Sequence, residues 1–166
     1  VCSSDLHDLA TLYRRQGQWS NIPKILQRCV DVSRTDEDRR RFHIELGEVL
    51  ERHLNQPEQA VGHYDAALAS NPRDRGALAA LARVYEARGD ARSLVQVLRR
   101  RIDAAEDGAE AIGLRLEAGR ALEDRVGDLD GAVGEYRAVL ESDSGNLRSE
   151  EHTSELQSPC NLVCRL

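Results

Sequence analysis

Apolar side chains recur along residues 7–147 with the rhythm of helices. Leu78, Leu81, Ala82 and Tyr85 keep i, i+3, i+4, i+7 spacing, which places all four on one side of a helix. Gly89-Asp90 interrupts the run, since glycine accepts the left-handed conformation that ends helices. Leu94, Val95, Leu98 and Ile102 then form a second stripe. Asn71-Pro72 separates this pair from the one before it. Pro23 and Pro57 stand near the starts of second helices, where a missing N–H costs little. Period-2 alternation is not sustained anywhere and β-branched residues are sparse, so no strand is expected.

The chain matches itself at an offset of 72 residues without a gap. Gly47 falls on Gly119, Leu50 on Leu122, Ala60 on Ala132, Tyr64 on Tyr136 and Leu68 on Leu140. Earlier in each half, Leu9 falls on Leu81, Ala10 on Ala82, Tyr13 on Tyr85, Gly17 on Gly89 and Leu26 on Leu98. Identities concentrate at Gly, Ala and apolar positions while the charges between them drift. Packing constraints leave that signature, and a fixed period points to stacked repeats. Two kinds of helix pair therefore alternate, each about half of the 72-residue period. The predicted units are 7–35 (truncated), 36–73, 74–107 and 108–147.

The second unit resembles the tetratricopeptide repeat, whose pattern over ~34 residues is W-x2-L-G-x2-Y, then A-x3-F, then P. His43, Leu46, Gly47 and Leu50 carry the first part, with His for Trp and Leu for Tyr. Ala60, Tyr64, Ala67 and Pro72 carry the rest. The fourth unit repeats this with Gly119, Leu122, Ala132 and Tyr136, but has Ser144 for Pro. The first and third units keep Leu-Ala-x2-Tyr and the later Gly, and lose the Ala-x3-Tyr half. Units two and four carry one extra residue between their helices. The resemblance implies an all-α solenoid of about four antiparallel helix pairs, wound as a right-handed superhelix with first helices on the inner surface. Ala10, Gly47, Ala82 and Gly119 are expected to let paired helices approach closely, and Tyr64 and Tyr136 to fill the gap against the neighbouring unit.

The resemblance also implies a protein or peptide ligand in the groove of the first helices. The groove-facing positions are Arg14 and Arg15; Glu48, Glu51 and Arg52; Arg83 and Glu86; Arg120 and Glu123. Some relatives bind acidic C-terminal peptides through a Lys/Asn carboxylate clamp. Ile44 and Glu48 occupy the corresponding stretch here, so a chaperone-tail ligand is not expected. Any one of these charges, taken singly, reads rather as a solvated helix face.

The two termini change the picture. Val1–Leu6 reads as GTG TGC TCT TCC GAT CT, and the reverse complement of that DNA reads as Arg148–Thr153. This DNA resembles a common short-read sequencing adapter, whose continuation gives Ser154–Ser158 and then Asn161–Leu166. Residues 1–6 and 148–166 are therefore expected to be non-native, and were set aside from the fold reading. Three of the four cysteines leave with them, so no intramolecular disulfide or thiolate metal site is expected. Cys29 remains, as a small buried hydrophobe beside Leu26 and Val30. Without a Met, the chain reads as an internal piece of a longer repeat protein, with uncapped ends prone to self-association.

Charge narrows the partners. The chain holds 29 acidic and 23 basic residues, a net charge of −6. Removing the four acidic and two basic residues of the termini leaves −4. That argues against a nucleic-acid surface. Lys24 is the sole lysine, a bias expected of a GC-rich bacterial genome. No apolar run approaches the roughly 18 residues of a membrane span. No signal peptide is visible, but a fragment would have lost one, so the compartment stays open, with a cytoplasmic location favoured.

Candidate chemistry is thin. There is no Gly-rich phosphate loop, HExxH or nucleophile elbow, so neither catalysis nor a cofactor nor a metal is expected. His53 and His63 fall on different helices of one unit and lack a carboxylate at ligand spacing; they read as exposed or packing histidines, as do His7 and His43. Glu45, Glu48 and Glu51 read as a solvated, i,i+4-paired face. Trp19 reads as a packing residue. Arg99-Arg100-Arg101 reads as a solvated helix edge balanced by Asp103 and Glu106. The predicted function is a protein–protein interaction scaffold. The alternatives are a non-catalytic regulatory arm of a larger enzyme and a structural part of an envelope or secretion assembly.

Overall fold

The computed structural model describes residues 3–142. Residues 1–2, 143–147 and the tail 148–166 lie outside the described residues. Eight helices follow one another, and no strand occurs among the described residues. They are α1 Ser3–Arg15, α2 Ile22–Val32, α3 Asp36–Arg52, α4 Pro57–Ser70, α5 Arg75–Arg88, α6 Ala91–Ala104, α7 Gly108–Ala121 and α8 129–142. A short 3-10 turn, Trp19–Asn21, leads into α2, and a π-helical turn, Leu122–Val126, prolongs α7. Consecutive helices pack on one another as an all-α solenoid, and α3 also touches α5.

The ends of the helices are set by local chemistry. Thr35, Asp74, Asp90 and Asp107 each accept a backbone N–H from the first turn of the helix that follows. Pro57 opens α4 and Pro23 is the second residue of α2, as expected from their missing donors. Among the described residues four adopt left-handed backbone conformations, and they fall in two pairs 72 apart. Gly17 (φ 71°) matches Gly89 (φ 69°), and Asn55 (φ 52°) matches Gly127 (φ 77°). The loop inside each hairpin thus holds one left-handed residue, with or without the extra residue of units two and four. In those two units the loop is closed by the Gln56 N–H on the Leu50 carbonyl and the Asp128 N–H on the Leu122 carbonyl, again in register.

Two features of the packing go beyond the expectations. First, α1 begins at Ser3, inside the segment set aside as non-native, and Leu6 is buried. Leu6, Ala10 and Tyr13 share one side of a helix, so apolar spacing carries the helix back past His7. Second, Tyr64 and Tyr136 also pack within their own hairpins. Tyr64 lies on Gly47, where a Cβ would come within 2.5 Å of the tyrosine Cε1. Tyr136 lies on Gly119 with the same 2.5 Å approach. Each tyrosine therefore joins the two helices of its own hairpin. The paired positions have like surroundings, as the repeat requires.

The core runs the length of the stack, from Leu6 and Ala10 through Leu46, Leu81 and Leu98 to Ala132. It stops at the two end units. Leu81 and Val84 are 1% and 2% exposed, but their counterparts Leu9 and Leu12 are 39% and 53% exposed. Leu68 is 3% exposed and its counterpart Leu140 is 69% exposed. Identical positions differ because interior units have neighbours on both sides.

Candidate partner-binding face

Between consecutive first helices the structure forms the same notch twice. The first, about 230 Å³, is lined by Arg14 of α1, Trp19, and Glu45, Glu48, Val49, Arg52 and His53 of α3 and its end. The second, about 240 Å³, is lined by Glu86 of α5, Leu94 of α6, and Glu117, Arg120, Ala121, Asp124 and Arg125 of α7 and its extension. Six of the seven residues correspond at the 72-residue offset, from Arg14 and Glu86 to His53 and Arg125. Shape repeats, but charge does not. Arg14, Glu48 and Arg52 are replaced by Glu86, Arg120 and Asp124, so three charges change sign. In the first notch Trp19 and His53 stack face to face, with ring centroids 3.4 Å apart and planes 2° from parallel. Trp19 is thus a partly buried packing residue that also presents its edge to the notch.

The junction between the two notches is closed by a polar chain. Tyr64 Oη donates to Glu51 at 2.7 Å, and Arg83 of the next unit donates to both Glu51 oxygens at 2.6 and 2.9 Å. Burial alone would raise the Glu51 carboxyl, but the bonds from Arg83 and Tyr64 outweigh it and hold the group below the usual glutamate range. Burial and the adjacent carboxylate push Tyr64 ionisation up. In the fourth unit Tyr136 donates to Glu123 at 3.0 Å, the same bond without the arginine.

These contacts show where the predicted groove residues lie. Arg14 lines the first notch and bonds Glu45 across units at 2.8 Å. Glu48 and Arg52 share that notch, with their charged ends 4.0 Å apart. Glu86 and Arg120 line the second, and Glu86 lies 3.7 Å from Arg125. Glu51, Arg83 and Glu123 are engaged in the bonds just described. Arg15 is exposed and lines neither notch. Asp124, Arg125, Glu117 and Trp19 belong to the notches although the sequence reading did not place them there. For Asp124 the signal is present in the sequence, since it lies one 72-residue step from Arg52 and beside Glu123; for Trp19, Glu117 and Arg125 neither cue applies.

Two charge readings change. Glu45 and Glu51 pair with Arg14 and Arg83 of neighbouring units; only Glu48 pairs within its helix. Arg99 is not a free helix edge: it bonds Glu135 of α8 at 3.0 Å, joined by Arg115 at 3.2 Å. His63 is half-buried and packs beside His43. Its Nδ1 lies 3.1 Å from Nδ1 of His43. Cys29 is buried, and burial raises its thiol ionisation. No helix among the described residues is long and apolar enough to cross a membrane.

Residues 6–40 and 77–112 match the family model for the tetratricopeptide repeat. These stretches fall on the first and third units, the ones whose second-helix motif is weaker to the eye. No curated protein matches the sequence. Among solved structures, MamA superposes with a TM-score of 0.61 at 20% identity, covering 88% of this chain and 81% of that one. MamA 41-end from Desulfovibrio magneticus RS-1 gives 0.57 at 16% identity, covering 87% and 77%. BtubC from P. vanneervenii gives 0.57 at 18% identity, covering 86% of this chain and 63% of that one. At these identities the likeness is one of fold.

Proposed function

We propose, because this chain is a tetratricopeptide-repeat protein, that it is an interaction scaffold that binds a protein partner along its first-helix face. The observation that carries this reading is the notch repeated at the 72-residue offset with three charges inverted. Equal shape with opposite charge order suits one elongated partner segment whose two ends differ in charge. It suits less well two copies of one ligand. The fold belongs to a family of non-catalytic scaffolds, and the groove charges bind partners or neighbouring units. They are not arranged as an acid–base pair. A photo-crosslinking amino acid at Arg52 and at Asp124, compared with Gln27 on the second-helix side, tests the face. Partner adducts from Arg52 and Asp124 support the reading; adducts confined to Gln27 refute it.

The exposed ends have a natural occupant in a second copy. The first unit is in register with the third, and the fourth with the second. A first unit can therefore lie on Leu140 and Val133 as the third lies on the second unit. Such head-to-tail contacts build open chains, not closed dimers. Sedimentation velocity over a hundredfold concentration range should show growing species that Leu140→Glu removes. A single concentration-independent monomer would exclude the contact.

A further inference from the structure

One polar site between second helices is built in two ways. In the second half of the chain, Glu135 of α8 is 8% exposed and receives Arg99 from α6 and Arg115 from α7. One 72-residue step earlier, the same three positions are His63, Gln27 and His43. A pair of histidines thus replaces a carboxylate bound by two guanidinium groups. His43 on α3 and His63 on α4 bring their Nδ1 atoms to 3.1 Å, with ring centroids 5.4 Å apart and planes 29° from parallel. Gln27 is tied by its amide to Asp31 at 3.0 Å. With no ion pair spanning it, the groove between α2 and α4 forms a cavity of about 470 Å³, floored by Leu46 and Leu50 and bordered by His63 and Gln27.

We propose that His43 and His63 form a two-histidine site for a late first-row divalent metal ion. Zinc–imidazole bonds are about 2.0–2.1 Å long, so nitrogens 3.1 Å apart subtend about 100° at a shared ion. That angle lies between the cis angle of a square and the tetrahedral angle. Two separate, well-packed helices already hold the pair together, so binding requires no chain rearrangement. Burial lowers the pKa of both imidazoles, with Arg39 adding to the effect on His43 and His43 to that on His63; neutral imidazole is the form that ligates. Asp31 is the acid that acts on His43 in the opposite sense.

The proton balance is simple. In the metal-free pair one Nδ1–H donates to the other Nδ1. On binding, that proton transfers through solvent to Nε2 of its own ring, and each imidazole turns by about 40° so that both Nδ1 lone pairs converge on the metal. No net proton is released. Among the described residues no third His, Cys, Asp or Glu completes a cluster with the pair. Water from the cavity fills the remaining positions. Lys24 and Arg28 at the cavity rim oppose a dication, so the site is weaker than a closed four-ligand zinc centre. The Irving–Williams order then places copper(II) above zinc and nickel.

Zinc(II) titration of the full chain, followed by long-range nitrogen–proton NMR of the imidazoles, tests this without any variant. The Nδ1 resonances of His43 and His63 should move together and saturate at one equivalent. His43→Gln and His63→Gln should each weaken that binding by about tenfold or more, since loss of even an outer-sphere partner costs 10–100-fold. His53→Gln, which alters the stack on Trp19, should leave it unchanged. Zinc taken up while the His43 and His63 signals stay fixed, whether at Cys160 and Cys164 or elsewhere, overturns the proposal. So does unchanged affinity in either glutamine variant with far-UV circular dichroism like the wild type.

Discussion

Gly47→Ala should destabilise the protein although alanine is the better helix former. The new Cβ would lie 2.5 Å from Tyr64 Cε1, 2.8 Å from Cζ and 2.9 Å from Cδ1. Tyr64 cannot swing aside easily: it is fully buried, and its hydroxyl is bonded to Glu51 at 2.7 Å. Forcing a methyl group into a packed core costs about 1–3 kcal/mol. Replacing Gly by Ala inside a helix returns about 0.5–1 kcal/mol. The net loss spans about 0–2.5 kcal/mol, centred near 1, and is read as a lower urea midpoint. Two controls isolate the cause. Gly113 has nothing within 4 Å of an added Cβ, so Gly113→Ala should stabilise by about 0.5–1 kcal/mol. Gly119 meets Tyr136 at the same 2.5 Å, but that ring is only partly buried and can yield toward solvent. Gly119→Ala should therefore cost less than Gly47→Ala. If Gly47→Ala is as stable as the wild type, close helix approach is not the reason for glycine there.

The remaining predictions concern polar groups that join units. Glu51 has a folded pKa below its unfolded value, so its contribution is present above the unfolded glutamate range and fades as pH falls through the folded pKa. Melting temperatures measured from pH 7 down to pH 3 should thus fall more steeply for wild type than for Glu51→Gln; parallel curves would refute the assignment. Asp74 caps α5 through the Ala77 N–H at 2.9 Å and also pairs with Arg40. Asp74→Ala should cost about 1–2 kcal/mol in urea, and Asp74→Asn should recover the capping share. Arg99 and Arg115 share the carboxylate of Glu135, which is 9% exposed at its side chain. Each single alanine variant should cost roughly 0.5–1 kcal/mol and the double variant more than their sum, because only then is the buried carboxylate left without a cation. Simple additivity in a double-mutant cycle would show that the three groups do not act together.

The helices were legible because apolar spacing, Gly and Pro act locally, and their signals survive in a single chain. The 72-residue register carried further: it paired the left-handed residues, the glycine–tyrosine contacts and the two notches. What it does not encode is direction. Register says that Tyr64 and Tyr136 are equivalent; it does not say that each ring lies on the glycine of its own partner helix, or that Tyr64 also reaches the Glu51 carboxylate bound by Arg83 of the next unit. Charges escaped for a related reason. Glu51 and Arg83 lie 32 residues apart, and Arg99 and Glu135 lie 36 apart. In a solenoid a side chain one repeat away is as near as one helical turn away, so i,i+4 pairing is only one of two local geometries. Reading opposite charges at the repeat spacing as well as the helical spacing would have recovered both ion pairs. It would also have marked His43 and His63 through their counterparts Arg115 and Glu135. A histidine pair at the position of an ion pair is conspicuous only by comparison, and the internal repeat supplies that comparison within one sequence.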